Sequence, residues 1–313
     1  MTVKRKAFDP RGVIPAALPA FRDDFSVDLK ATRGHFRYLG GVRGISAVTV
    51  NGHAGEVSAC SVEEQRGILD AALDEIGDRI PIVCGIHADG SRHAATIASM
   101  AEKAGASALL VFPTSGAAMG CRLTPDMARL HFSVIADATN LPLIYFQYPV
   151  SSGQGLPFED IIALLDAVPS IRAMKDWCND PAMHERLTRT IQARNPPVHL
   201  FSTHSSWLLS SLVMGAHGLL SGAGSVIAAQ QVELFEAVQA KDLCKAQAVN
   251  DRIYSIVRAF YADPFVNMHN RMKQCLAMLG RMPRGVVRPP LAPIEKNELR
   301  RLRRALRESG IYE

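Results

Sequence analysis

The sequence predicts an α/β fold, a (β/α)8 TIM barrel with a C-terminal helical appendage, and three observations predict it. Short apolar runs alternate with longer amphipathic stretches, the runs number eight, and the alternation stops after residue 239. Strand-then-helix units in series imply a parallel sheet, and eight is the number at which such a sheet closes on itself. An open doubly wound sheet is the competing architecture. It would normally carry a glycine fingerprint after its first strand, where this chain has LPAFRDD.

The expected strands are 12–18, 44–50, 79–85, 106–112, 141–149, 171–175, 198–202 and 217–222. The helices between and after them are 26–39, 62–77, 91–104, 124–139, 157–168, 180–193, 205–214 and 225–238. Ser61 with Glu64 three residues on, Thr124 before Pro125, and Asp180 before Pro181 read as helix starts. Beyond the barrel (1–239), an extension (240–313) should hold helices at 241–262, 265–279 and 296–309. The connector at 281–294 is too rich in proline and glycine for regular structure and should run as an extended strap.

Composition excludes several classes. The 313 residues are 48% hydrophobic, enough for one large core, and aromatic content is only 6% against 23 glycines and 18 prolines, which suits many short elements. No apolar run approaches the roughly 20 residues of a spanning helix, and MTVKRKAFDP lacks the apolar stretch of a signal peptide. A cytoplasmic location away from membranes is therefore expected. The six cysteines form no CxxC pair, against both a zinc knuckle and a disulfide framework. The densest basic stretch, 297–308, repeats Leu299, Leu302 and Leu306 at helical spacing, so its five arginines read as the wet face of a helix rather than a nucleic-acid site.

In such a barrel the site lies where the strands end. Lys175 closes the run IRAMK, behind Ala173 and Met174, where an ammonium loses solvation and its pKa falls. That favours a nucleophilic amine, although position alone also fits a lysine opening a surface loop. After the second strand, Gly52 and Gly55 permit a turn with exposed amides able to hold a carboxylate; taken alone it is an ordinary βα turn. Phe146 and Tyr148 share one face of the fifth strand and Tyr145 takes the other. SGAGSV, containing Gly222, offers helix-terminal amides to an anion but reads more simply as a tight loop.

Together these residues resemble the dihydrodipicolinate synthase and N-acetylneuraminate lyase family over nearly the whole chain. NGHAGE with Glu64 looks like the family's Gly-Thr-Thr-Gly-Glu loop and its trailing acid. YPVSSG followed by IRAMKD is similar to the strand-five proline and the Schiff-base lysine, and HGLLSGAG with RPPLAPI resembles the last strand and closing strap. The resemblance implies that Lys175 forms an imine with a 2-oxo acid such as pyruvate, with no cofactor beyond that covalent imine and no resident metal. The substrate carboxylate would lie against Gly52, His53 and Ala54, and the backbone of Leu220 would face the lysine. It also implies a homotetramer built as a dimer of dimers.

Departures sharpen the expectation. His53 and Ala54 replace two hydroxyl residues, so His53 becomes a candidate hydrogen-bonding or proton-transferring group. The family's strand-five tyrosine aligns with Phe146, which relays no proton; Tyr148 is the candidate substitute. Ser151 stands where lysine-biosynthetic members carry an arginine, against dihydrodipicolinate synthesis, and Thr203 and His204 replace a Gly-Asp. The leading expectation is a class I lyase: an aldolase releasing pyruvate, or a dehydratase of a 2-oxo-3-deoxy sugar acid. The alternatives are a barrel that binds a 2-oxo acid but is catalytically weakened, and a metal-dependent lyase with ligands among His53, His87, His93 and His204. The latter lacks HxH or HxxxH spacing.

Overall fold

The computed structural model describes residues 7–120, 124–203 and 207–312. Eight parallel strands follow one another around a barrel: β1 (Gly12–Pro15), β2 (Val48–Val50), β3 (Ile82–Ile86), β4 (Ala108–Val111), β5 (Leu143–Gln147), β6 (Ile171–Asp176), β7 (His199–Ser202) and β8 (Gly218–Ser221). The first and last pair in register, Ile14 opposite Leu220. Between β1 and β2 the ladder thins to two bridges, Val13 to Ile45 and Ala16 to Thr49, which close the ring. This is why the expected 44–50 strand shortens to its last three residues: the earlier ones contact β1 without a continuous ladder.

Each strand is followed by a helix: α1 (Leu29–Gly41), α2 (Val62–Ile76), α3 (Ser91–Ala104), α4 (Asp126–Ala136), α5 (Phe158–Ala167), α6 (Pro181–Gln192), α7 (Leu208–Val213) and α8 (Gly224–Gln239). Ser61 and Glu64 form a reciprocal capping box on α2, and the Asp180 carboxylate accepts from Ala182 and Met183 at the start of α6. Two starts differ from expectation. α1 begins at 29 rather than 26, because Ser26 is spent on a turn with Asp24 and Asp28 supplies the cap. On α4 the Thr124 side chain does not cap; its carbonyl accepts from Met127 while Pro125 occupies the cap position. The first two residues expected for the 205–214 helix lie outside the described residues.

The core divides by strand alternation. On β5, Ile144 and Phe146 point into the barrel and join an interior cluster, while Leu143 and Tyr145 face the helical layer. Tyr145 there donates to Gln147, which in turn holds Leu156 at 2.9 Å. The extra C-terminal helices α9 (Leu243–Phe260), α10 (Met268–Met278) and α11 (Lys296–Glu308) pack onto the interior-cluster side. The expected helix 265–279 opens instead with a 3-10 turn at Phe265–Asn267. On α11, Leu302 and Leu306 are buried and its arginines from 300 to 307 are exposed, as the spacing predicts. No described helix is long and apolar enough to cross a membrane.

Candidate active site

Lys175 sits at the carboxyl end of β6 with its side chain inside the barrel mouth, only 3% exposed. Burial drags its ammonium down to about 7, since the surroundings supply no counter-charge to repay lost hydration. The Nζ lies 3.9 Å from the centroid of the Phe146 ring, so the position expected to relay protons carries instead a ring face that tolerates a cation. Phe146 is wedged edge-on against Phe112 at 5.3 Å.

The lysine's neighbour in sequence fixes it from behind. Asp176 faces outward, accepting from the Cys178 amide at 2.9 Å and from His184 Nδ1 at 2.5 Å. With that ring proton placed, His184 Nε2 accepts from the Ser211 hydroxyl at 2.8 Å. The chain ties β6 to α6 and α7 in a fully buried layer. Among the described residues, Asp176, Cys178 and His184 are also the one His/Cys/Asp/Glu group compact enough to share an ion. Its members are already hydrogen-bonded to one another. The histidines considered for a metal do not assemble: His93 is exposed on α3, His87 packs edge-on to Phe112 at 5.5 Å, and His204 lies outside the described residues.

The turn after β2 forms the opposite wall. Residues His53–Gly55 make one 3-10 turn, in which the amides of Gly55 and Glu56 are consumed by Gly52 and His53 carbonyls. Those of His53 and Ala54 have no backbone acceptor among the described residues. The turn is pressed close against its neighbours: a Cβ on Gly85 of β3 would stand 1.9 Å from the Asn51 carbonyl, and one on Gly222 would stand 2.7 Å from Ala54 Cβ. Glu56 ends the turn in the left-handed region, φ 55°, a strained place for a glutamate. It is held there by a buried ion pair with Lys273 of α10 at 2.6 Å and by the Arg288 amide of the strap at 2.9 Å. Arg288 reaches on to Glu64 at 2.6 Å, so the acid trailing the turn buckles the strap, which passes over residues 281–294 without regular structure.

These elements border a pocket, open on one side, whose inner wall is lined by His53, Ala54, Phe146, Lys175 and Gly222. Five of the residues expected from sequence therefore meet. Tyr148 borders the group, 9% exposed, its ring 4.6 Å from that of Phe146 and 6.2 Å from that of His53. Burial pushes its phenol well up, so it stays protonated at neutral pH. Gly52 and Leu220 do not line the cavity. Gly52 backs the turn toward Thr49 and Ala16, and Leu220 is buried opposite Ile14, just past the Leu219–Ser202 pair where the β7 ladder stops.

His53 differs electrostatically from expectation. Burial above all, then the neighbouring His269, Lys175 and His87, hold its imidazole well below its usual pKa, so it is neutral and fit to accept rather than to deliver a proton.

Sequence reasoning missed the outer half of the pocket. Trp177 stacks on Phe265 at 4.9 Å and 17°, Phe265 on Tyr261 at 5.7 Å, and Met268 completes the lining with Thr203. His269 stands edge-on to His53 and donates from Nδ1 to the Ala54 carbonyl at 3.2 Å. Apart from Trp177 and Thr203 these residues come from the C-terminal extension. The available signal was the four-residue spacing of His269 and Lys273, two polar groups on the buried face of α10.

Comparison with known proteins agrees with this geometry. Residues 9–309 match the model of the Dihydrodipicolinate synthetase family. A putative 2-dehydro-3-deoxy-D-gluconate aldolase, YagE, of Escherichia coli K12 is 25% identical over 95% of this chain and 96% of its own. A 4-hydroxy-tetrahydrodipicolinate synthase of Kineococcus radiotolerans is 29% identical over 96% of this chain and 93% of its own. Among solved structures, that of YagE from E. coli K12 in complex with pyruvate superposes with a TM-score of 0.86 at 23% identity, covering 96% of this chain and 99% of the other.

Proposed function

The chain belongs to the dihydrodipicolinate synthetase family, and from that premise we propose that it is a class I lyase that binds pyruvate, or the pyruvate end of a larger 2-oxo acid, as an imine on Lys175. One observation carries the reading: a buried lysine, brought to about 7 by desolvation, projects into the pocket at the mouth of the barrel. An amine that is substantially unprotonated near neutral pH can attack a ketone without a separate step to remove its proton. The iminium then withdraws electrons from the bond beyond C3, which serves aldol cleavage or loss of water. The relative crystallised with pyruvate supports the choice of 2-oxo acid.

Roles follow from placement. The amides of His53 and Ala54, without a backbone acceptor among the described residues, belong to a turn that lines the cavity and suit the carboxylate. Tyr148, a neutral phenol beside Phe146, is the group able to pass protons as water leaves the carbinolamine, and its hydroxyl has no hydrogen-bond partner among the described residues. Dihydrodipicolinate synthesis is not the proposed reaction: Ser151 is exposed and the described lining holds no guanidinium to anchor a second carboxylate.

Two results test this. Adduct formation with pyruvate should accelerate as pH rises through about 7 and level off above it, because the neutral amine is the nucleophile. A rate still climbing tenfold per unit at pH 9 would show an ordinary, solvated lysine. Tyr148→Phe should lower the rate of imine formation about a hundredfold with little change in thermal stability. A wild-type rate in that variant would remove Tyr148 from the relay.

A further inference from the structure

The imine mechanism leaves open what occupies the far half of the pocket, and the walls there are chemically one-sided. Trp177, Phe265 and Tyr261 form a continuous stack, 4.9 Å and then 5.7 Å between ring centroids, and Tyr148 extends it inward at 5.2 Å from Trp177. Against this the described lining offers, besides Lys175, the polar side chains of His53, Thr203, Tyr261 and Trp177, whose buried indole N–H has no partner among the described residues, and no carboxylate or second cation. A polyhydroxylated tail would press much of its surface against ring faces that offer its hydroxyls no partner, and a site of that kind discriminates against them. A flat apolar ring would be sandwiched in offset or edge contacts with the stack.

We propose that the partner molecule is an aryl aldehyde, so that the substrate cleaved is a 4-aryl-4-hydroxy-2-oxobutanoate; this deepens the imine reading and rests on it. In the cleavage direction the iminium on Lys175 accepts the electron pair of the breaking C3–C4 bond. The 4-hydroxyl proton passes to the neutral His53 and the aryl aldehyde leaves. The resulting enamine takes a proton at C3, and one water hydrolyses the imine to release pyruvate. No oxidant or reductant enters. Trp177 and Phe265 are the specificity-determining rings.

The test uses the intact enzyme with pyruvate and either benzaldehyde or glyceraldehyde, following aldol product, alongside borohydride trapping with pyruvate alone. Benzaldehyde should exceed glyceraldehyde in kcat/KM by at least about tenfold, and Trp177→Ala should cut that ratio about tenfold. Phe265→Leu, a milder change, should move it in the same direction if the first variant folds poorly. A preference for glyceraldehyde overturns the inference, as does an adduct-forming enzyme that does not turn over benzaldehyde or a ratio indifferent to both variants. In each of these cases the imine reading stands. Failure to trap any pyruvate adduct defeats that reading itself, and this inference with it.

Discussion

Lys175→Met is expected to lose activity by at least about a thousandfold while becoming more stable at neutral pH. The loss follows from the covalent role, because no other described amine lines the pocket. The gain follows from linkage. The folded lysine titrates near 7 and the unfolded one near its ordinary 10.5, so between those values the unfolded chain binds more protons and wild-type stability rises with pH. At pH 7 the burial of this amine costs the fold on the order of a few kcal/mol, offset in part by the Phe146 ring. Methionine fills the space without the cost. Chemical denaturation across pH 7–10.5 checks it: wild-type stability should rise with pH and close on that of the variant, which should lack that slope. Equal slopes would mean that the lysine is solvated.

Glu56→Gln should be the most destabilising single change near the site, by about 3–5 kcal/mol, because it leaves Lys273 buried without its counter-ion. Lys273 is fully enclosed, with its Nζ 3.6 Å from the Phe21 ring centroid and 3.1 Å from the Val286 carbonyl. Burial already draws it to about 8 despite the carboxylate, so part of the loss will appear as further neutralisation. Glutamine keeps one acceptor oxygen where the carboxylate offered two, so it can serve the Arg288 amide or Lys273 but not both, at a strained left-handed residue next to the substrate turn. Activity should therefore fall along with stability. Adding Lys273→Met to Glu56→Gln should restore much of the stability, since an unpaired buried charge, rather than a missing contact, is the main cost. Destabilisation that simply adds in the double variant would contradict this.

How much of this was legible in the chain depended on the range of the interaction. The apolar runs gave all eight strands because alternation is a local property, and errors sit at ends where a turn competes with a helix start, as at Ser26, or where a ladder thins, as before β2. Lys175, His53, Ala54, Phe146 and Gly222 were legible because strand ends converge in any barrel of this kind. The aromatic roof was not, since nothing in the pattern of 261–268 says that an added helical layer folds back across the mouth. His53 illustrates a subtler limit: its position was foreseen, but its charge state depends first on burial and then on His269, more than two hundred residues away. The same applies to Glu56, whose ion-pair partner lies on α10.

The most direct measurement is mass spectrometry of peptides after incubation with pyruvate and borohydride. One reduced pyruvate group on the peptide containing Lys175, absent in Lys175→Met, is the expected result. Unmodified protein, or modification spread over exposed lysines and unchanged in the variant, would contradict the imine at the centre of the account.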